Sequence, residues 1–138
     1  MKAMHAPFYK YHATGNDFVM VDDREARFPD TDRERIARMC HRRFGIGADG
    51  LILIRKDLQT DFRMVYFNAD GAEGSLCGNG ARCAVAFASE LGLLSDPCHF
   101  MAVDGMHQAR LLGDEVALQM GDVTQLRCSD RYTFLDTG

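Results

Sequence analysis

The chain has 138 residues, 46% of them hydrophobic, enough to bury the core of one globular domain and to exclude a disordered segment. Its formal charge of −4 is spread along the sequence, and the basic run "RERIARMCHRR" is balanced by nearby acids, which excludes nucleic acid as an obvious partner. No apolar run approaches membrane-spanning length and "MKAMHAPFYKYH" lacks the features of a secretory signal, so no membrane partner and a cytoplasmic location are expected.

In chain order, "PFYKYH" and "DFVMVDD" read as two strands separated by the turn chemistry of "ATGN", with Asn16 in the turn. "TDRERIARMCHRRFG" opens with a capping-box pattern, Thr31 to Glu34, and carries Ile36, Met39, Cys40 and Phe44 at helical spacing before Gly45, which predicts an amphipathic surface helix. "LILIRK" and "DFRMVYFN" follow as strands. "NADGAEGS" then makes a long turn leading to Cys77.

The next stretch, "SLCGNGARCAVAFASELGLL", predicts a helix from Ala81 to Leu91 that is apolar on nearly every face and therefore surrounded by protein, with Gly92 as its stop. Beyond it "CHFMAV", "MHQARLL" and "EVALQM" are short strands linked by hairpin signals at Asp104-Gly105 and Gly113-Asp114. The expected fold class is α+β, a mostly antiparallel sheet wrapped around a central helix. There is no repeat, low-complexity segment or linker, so residues 1–138 form one domain.

The five cysteines, Cys40, Cys77, Cys83, Cys98 and Cys128, are an odd number without framework spacing, which points to reduced thiols rather than disulfides. An inert buried thiol is the commoner fate of cysteine. Cys77 departs from it, because it sits in a glycine-rich turn at a helix start, where free N–H groups and the helix dipole favour a thiolate. Gly78 and Gly80 offer conformations closed to other residues and a close backbone approach for a ligand. Cys83 lies six residues on, inside the helix, and makes no credible metal pair with Cys77. The five histidines, His5, His12, His41, His99 and His107, have no ligand spacing and are expected to be structural or surface residues, so no metal is expected. "GNGARC" lacks the Lys-Ser/Thr ending of a phosphate loop. Asn16 and Asn68, judged from the residues alone, serve turns.

"FYKYHATGNDF", "GIGADGLI" and above all "NADGAEGSLCGNGARC" together resemble the diaminopimelate epimerase family, pyridoxal-phosphate-independent amino-acid isomerases of bacterial lysine and cell-wall synthesis. The resemblance runs through the whole chain but covers only the first of the two pseudo-symmetric halves of such an enzyme. "FLDTG" resembles the opening of the family's Thr-Gly-x-Pro-His segment, so a second half, absent from this chain, is expected beyond Gly138.

The resemblance implies that Cys77 is one of two acid/base thiols acting from opposite faces of the substrate α-carbon, the other belonging to a Cys-Gly motif of the second half. It also implies substrate contacts at Asn16, Asn68, Gly78 and Asn79, with diaminopimelate as the small-molecule substrate, no cofactor, and a homodimer as a candidate assembly. In some relatives a glutamine follows the Asp of the "G-x-G-x-D" segment and contacts substrate; here that position is Gly50, and the contact is missing. The chain alone is expected to be inactive. The residues also admit two other readings. One is a related isomerase of proline racemase or phenazine type, against which "CGNG" speaks, because the racemases tend to have histidine for that asparagine and the phenazine type lacks the cysteine. The other is a non-catalytic binding module that holds half a ligand site.

Overall fold

Strand alternation and two crossover helices explain most of the architecture. The computed structural model describes residues 7–135; His5 and the residues at 136–138 that close "FLDTG" lie outside the described residues. Seven strands form one sheet in sequence order: β1 (Tyr9–Ala13), β2 (Asn16–Asp22), β3 (Gly50–Arg55), β4 (Phe62–Asn68), β5 (Cys98–Ala102), β6 (Gly105–Leu112) and β7 (Glu115–Leu118). Helix α1 (Arg33–Cys40) connects β2 to β3, and α2 (Gly78–Glu90) connects β4 to β5. Both connected pairs are parallel and the other neighbours are antiparallel.

Because β3 and β4 are antiparallel, β2 and β3 point one way and β4 and β5 the other. Two crossovers of the same hand, stepping in the same direction across the sheet, must then lay their helices on opposite faces. Alternate residues sort accordingly. Phe18, Met20, Ile52, Ile54, Phe62 and Met64 pack with α2, whereas Val19, Val21, Leu51, Leu53 and Phe67 pack with Ile36 and Cys40 of α1. Strand β3 is therefore buried on both faces, which accounts for its unbroken "LILI".

Helix α2 buries Gly80, Ala81, Cys83, Ala84, Val85, Phe87 and Ala88, as a helix without a broad polar face requires. Its alanines let the sheet come close. Both outer strands, β1 and β7, contact it, so the sheet curls around the helix. Tyr9 and Tyr11 of β1 meet Phe87 at ring distances of 4.9 and 5.5 Å. Full burial of a side chain such as Phe87 contributes about 1.5–3 kcal/mol. The helix stops as expected, with Gly92 at φ +73° and the N–H groups of Gly92 and Leu93 donating to the carbonyls of Ser89 and Ala88.

Several local expectations shift. Asn16 is not in the first turn but opens β2 opposite Ala13, leaving Thr14 and Gly15, both at positive φ, as a two-residue hairpin loop. The cap of α1 is Asp32, whose carboxylate accepts the Arg35 N–H at 3.0 Å, rather than Thr31. That helix ends at Cys40 and leaves Phe44 exposed, because the chain folds back and closes the last carbonyls with the N–H groups of Ile46, Gly47 and Ala48. Gly45 makes this possible: a Cβ there would lie 1.9 Å from the Arg38 carbonyl oxygen. The β5–β6 loop is Val103-Asp104, one residue earlier than expected, while Gly113-Asp114 joins β6 to β7 as expected. An exposed ribbon of β8 (Leu126–Cys128) and β9 (Thr133–Leu135) was without sequence signal.

Candidate active site

Four segments meet at one end of the sheet. Strands β2 and β3 begin there and the antiparallel β4 ends there, so Asn16, Gly50 and Asn68 share an edge; Gly50 and Asn68 are direct cross-strand partners. After Asn68 the chain folds back on β4, with Gly74 N–H donating to the Tyr66 carbonyl at 2.9 Å and Asn68 N–H to that of Ala72 at 2.8 Å. Gly71 sits at φ +81° against Arg33 of α1, where a Cβ would lie 2.1 Å from a backbone oxygen. This packed turn delivers Cys77 to the start of α2.

Cys77 is the N-cap of that helix, as its sequence position predicts. Its Sγ accepts the Gly80 N–H at 3.4 Å, and its thiol donates to Asn16 Oδ1 at 3.7 Å. The same Asn16 oxygen accepts Asn79 Nδ2 at 3.2 Å, and Asn79 Oδ1 in turn accepts from the Arg82 guanidinium. Asn16 is aimed from behind, since its Nδ2 donates to Asp49 Oδ2 at 2.8 Å. Asp49 pairs with Arg42, and Arg42 pairs with Asp17, which also holds Lys10. Hydrogen bonds from Arg42 and then Lys10 keep the Asp17 carboxyl well below the usual carboxylate range despite its partial burial.

Asn16 thus contacts both Cys77 and Asn79. Asn68 stands on the same edge but outside this hydrogen-bond network; its Oδ1 accepts the Tyr66 hydroxyl at 2.9 Å. Gly78 opens the helix with room to spare: a Cβ would make ordinary contact with Met120 at 3.8 Å. Neither Gly78 nor Gly80 uses positive φ, contrary to the expected conformational role. Gly80 instead answers a close approach: a Cβ there would lie 3.0 Å from Ile52 Cδ1. At Gly50 a Cβ would lie 2.6 Å from both the Phe67 carbonyl oxygen and Tyr66 Cε2, so this strand has no space for the glutamine of some relatives.

The residue pattern left Asp49, Arg82 and Tyr66 without roles. Asp49 lay inside a quoted motif, and a carboxylate just before an apolar strand was its available signal. Among the described residues no three His, Cys, Asp or Glu side chains are grouped to hold a metal. Three described histidines bond locally: His12 Nδ1 accepts the Gly15 N–H, His41 Nδ1 accepts the Arg43 and Phe44 N–H groups, and His107 pairs with Asp104 at 2.8 Å. No described helix is long and apolar enough to cross a membrane.

The chain thus forms a curled α+β sheet closed on a central helix, with a half-buried cysteine capping that helix beside convergent amides. Solved structures share the fold. A phenazine biosynthesis protein of the PhzF family from Bacillus anthracis superposes with a TM-score of 0.62 at 18% identity, over 87% of this chain and 40% of that one. Another, from Enterococcus faecalis, gives 0.63 at 16%, over 80% and 42%.

Sequence fixes the family within that fold. The diaminopimelate epimerase family model matches residues 8–126, and the chain belongs to this family. It is 50% identical over 131 residues to a diaminopimelate epimerase of Flavobacterium psychrophilum, covering 94% of this chain and 51% of that protein. It is 48% identical over 103 residues to one from Chlorobaculum tepidum, covering 73% and 40%. The chain spans about half the length of these relatives.

Proposed function

We propose that this chain supplies one face of a cofactor-independent epimerase that interconverts LL- and meso-diaminopimelate, in lysine and peptidoglycan precursor synthesis, with Cys77 as one of two acid/base thiols. The observation that carries the reading is the bracketing of Cys77 Sγ between a donor, the Gly80 N–H, and an acceptor, Asn16 Oδ1. A sulfur so held can give or take a proton at a fixed place. Asn16, Asn68, Asn79 and the backbone at Gly78 are the substrate contacts, and amides suit the task because each can donate to a carboxylate and accept from an ammonium. Removing the α-proton moves charge into the substrate carboxylate, where N–H groups of the first turn of α2 stabilise it. Inversion requires a second group on the opposite face, which the reading assigns to a Cys-Gly turn of a second half.

Deuterium incorporation tests this. LL-diaminopimelate in deuterated water should gain no inverted product from the 138-residue chain alone. With the second half joined it should epimerise, and Cys77→Ala should lower the rate by at least about 1000-fold, as loss of an essential proton-transfer group does. Cys77-dependent inversion by the isolated chain would overturn the two-thiol reading.

A further inference from the structure

Tyr66 is clamped in a way that its strand position alone does not require. A Cβ on Gly50 would lie 2.6 Å from Tyr66 Cε2 and 3.3 Å from its hydroxyl oxygen, and a Cβ on Gly74 would lie 2.7 and 2.8 Å from Cε1 and Cδ1. The ring therefore occupies space that side chains at both positions would claim. Phe18 meets it edge-on at 6.0 Å. Burial first, then the nearby Cys77 and Asp49, pushes the phenol above its ordinary value, so it stays a neutral donor. The hydroxyl makes the only side-chain hydrogen bond of Asn68 among the described residues.

A primary amide whose oxygen is engaged keeps two N–H donors to offer. We propose that Tyr66 is a positioning residue of the substrate site: seated between Gly50 and Gly74, its hydroxyl occupies Asn68 Oδ1 and thereby presents Asn68 Nδ2 as a donor to an amino-acid carboxylate. The inference rests on the reading of Asn68 as a substrate contact. Tyr66 touches no reacting atom; it acts through Asn68. Gly50 and Gly74 are the residues that make room for it, and the side chain missing at position 50 is answered by the phenol from the neighbouring strand.

Tyr66→Phe keeps the ring and removes only the hydroxyl. In the free chain it should move and mobilise the Asn68 side-chain amide resonances in a nitrogen–proton correlation spectrum, while the backbone pattern of the core stays in place. Diaminopimelate titrated into the chain should bind about tenfold more weakly to Tyr66→Phe, the loss expected when one orienting hydrogen bond goes. Asn68→Ala should weaken binding similarly, and the double variant should be no worse than Asn68→Ala, because the two residues act as one unit. An unmoved Asn68 amide, unchanged affinity or additive losses would each overturn the inference. If the wild-type chain binds no diaminopimelate, the proposed function takes that failure, and the amide spectrum of the free chain decides the role of Tyr66 by itself.

Discussion

Cys77 differs from its fellow thiols in what surrounds each sulfur. Burial pushes Cys40 and Cys83 up to about 11, and burial followed by the Asp61 carboxylate pushes Cys98 up to about 12. Those three keep their protons at pH 8 and sit out of reach of reagent, whereas Cys77 is half-buried and Cys128 exposed. Iodoacetamide at pH 8 should therefore label Cys77 and Cys128 in the native chain and the rest only after unfolding, as read by peptide mapping. Labelling of Cys83 in the folded chain would contradict the packing of α2 against the sheet. The raised values also set a direction for stability. A thiol that titrates near 8.5 when unfolded and near 11 or 12 when folded holds its contribution intact below about pH 8.5. The contribution is lost as pH rises through the folded values, so urea resistance should fall in that alkaline window.

Between elements, the least forgiving polar contact is Asp23, at the end of β2 and only 3% exposed. Its Oδ1 accepts the Arg27 and Phe28 N–H groups at 2.8 Å, and its Oδ2 accepts Arg55 Nε from β3 at 2.7 Å. Asp23→Ala strands two amides and leaves the partly buried Arg55 guanidinium with Asp30 as its carboxylate partner, a loss of about 3 kcal/mol. Urea denaturation should show a lower midpoint at unchanged slope; a loss under about 1 kcal/mol would mean that water replaces the carboxylate. Elements governed by local chemistry were legible beforehand. Gly92 and Gly113-Asp114 marked their turns, and the capping signal at Thr31 missed by one residue because Asp32, an equally good cap, follows it. The end of α1 was hidden, since the need for glycine at 45 arises only once the chain folds back over Arg38. The parallel pairs were hidden too, because they depend on which face each helix covers. The motifs singled out Cys77, Asn16 and Asn79, which the fold brings together, but the phenol that fills the space over Gly50 depends on cross-strand register.

For the whole molecule, a consequence lies in the parallel pairing of β2 with β3, which brings Asn16 up to Asp49. The hairpins β1–β2 and β6–β7 join chain neighbours and can close within about 1–10 μs. The contact of Asn16 with Asp49 closes a loop that contains α1, and its contact with Cys77 closes a longer one that also contains β3 and β4. Contacts this distant in sequence carry the entropic cost of closing long loops and form late. The thiol thus serves as a clock for folding. In a refolding experiment sampled by short pulses of alkylating reagent, far-UV dichroism should recover before the labelling rate of Cys77 settles to its native value. Simultaneous recovery of the two signals would place the pairing of β2 with β3 among the early events.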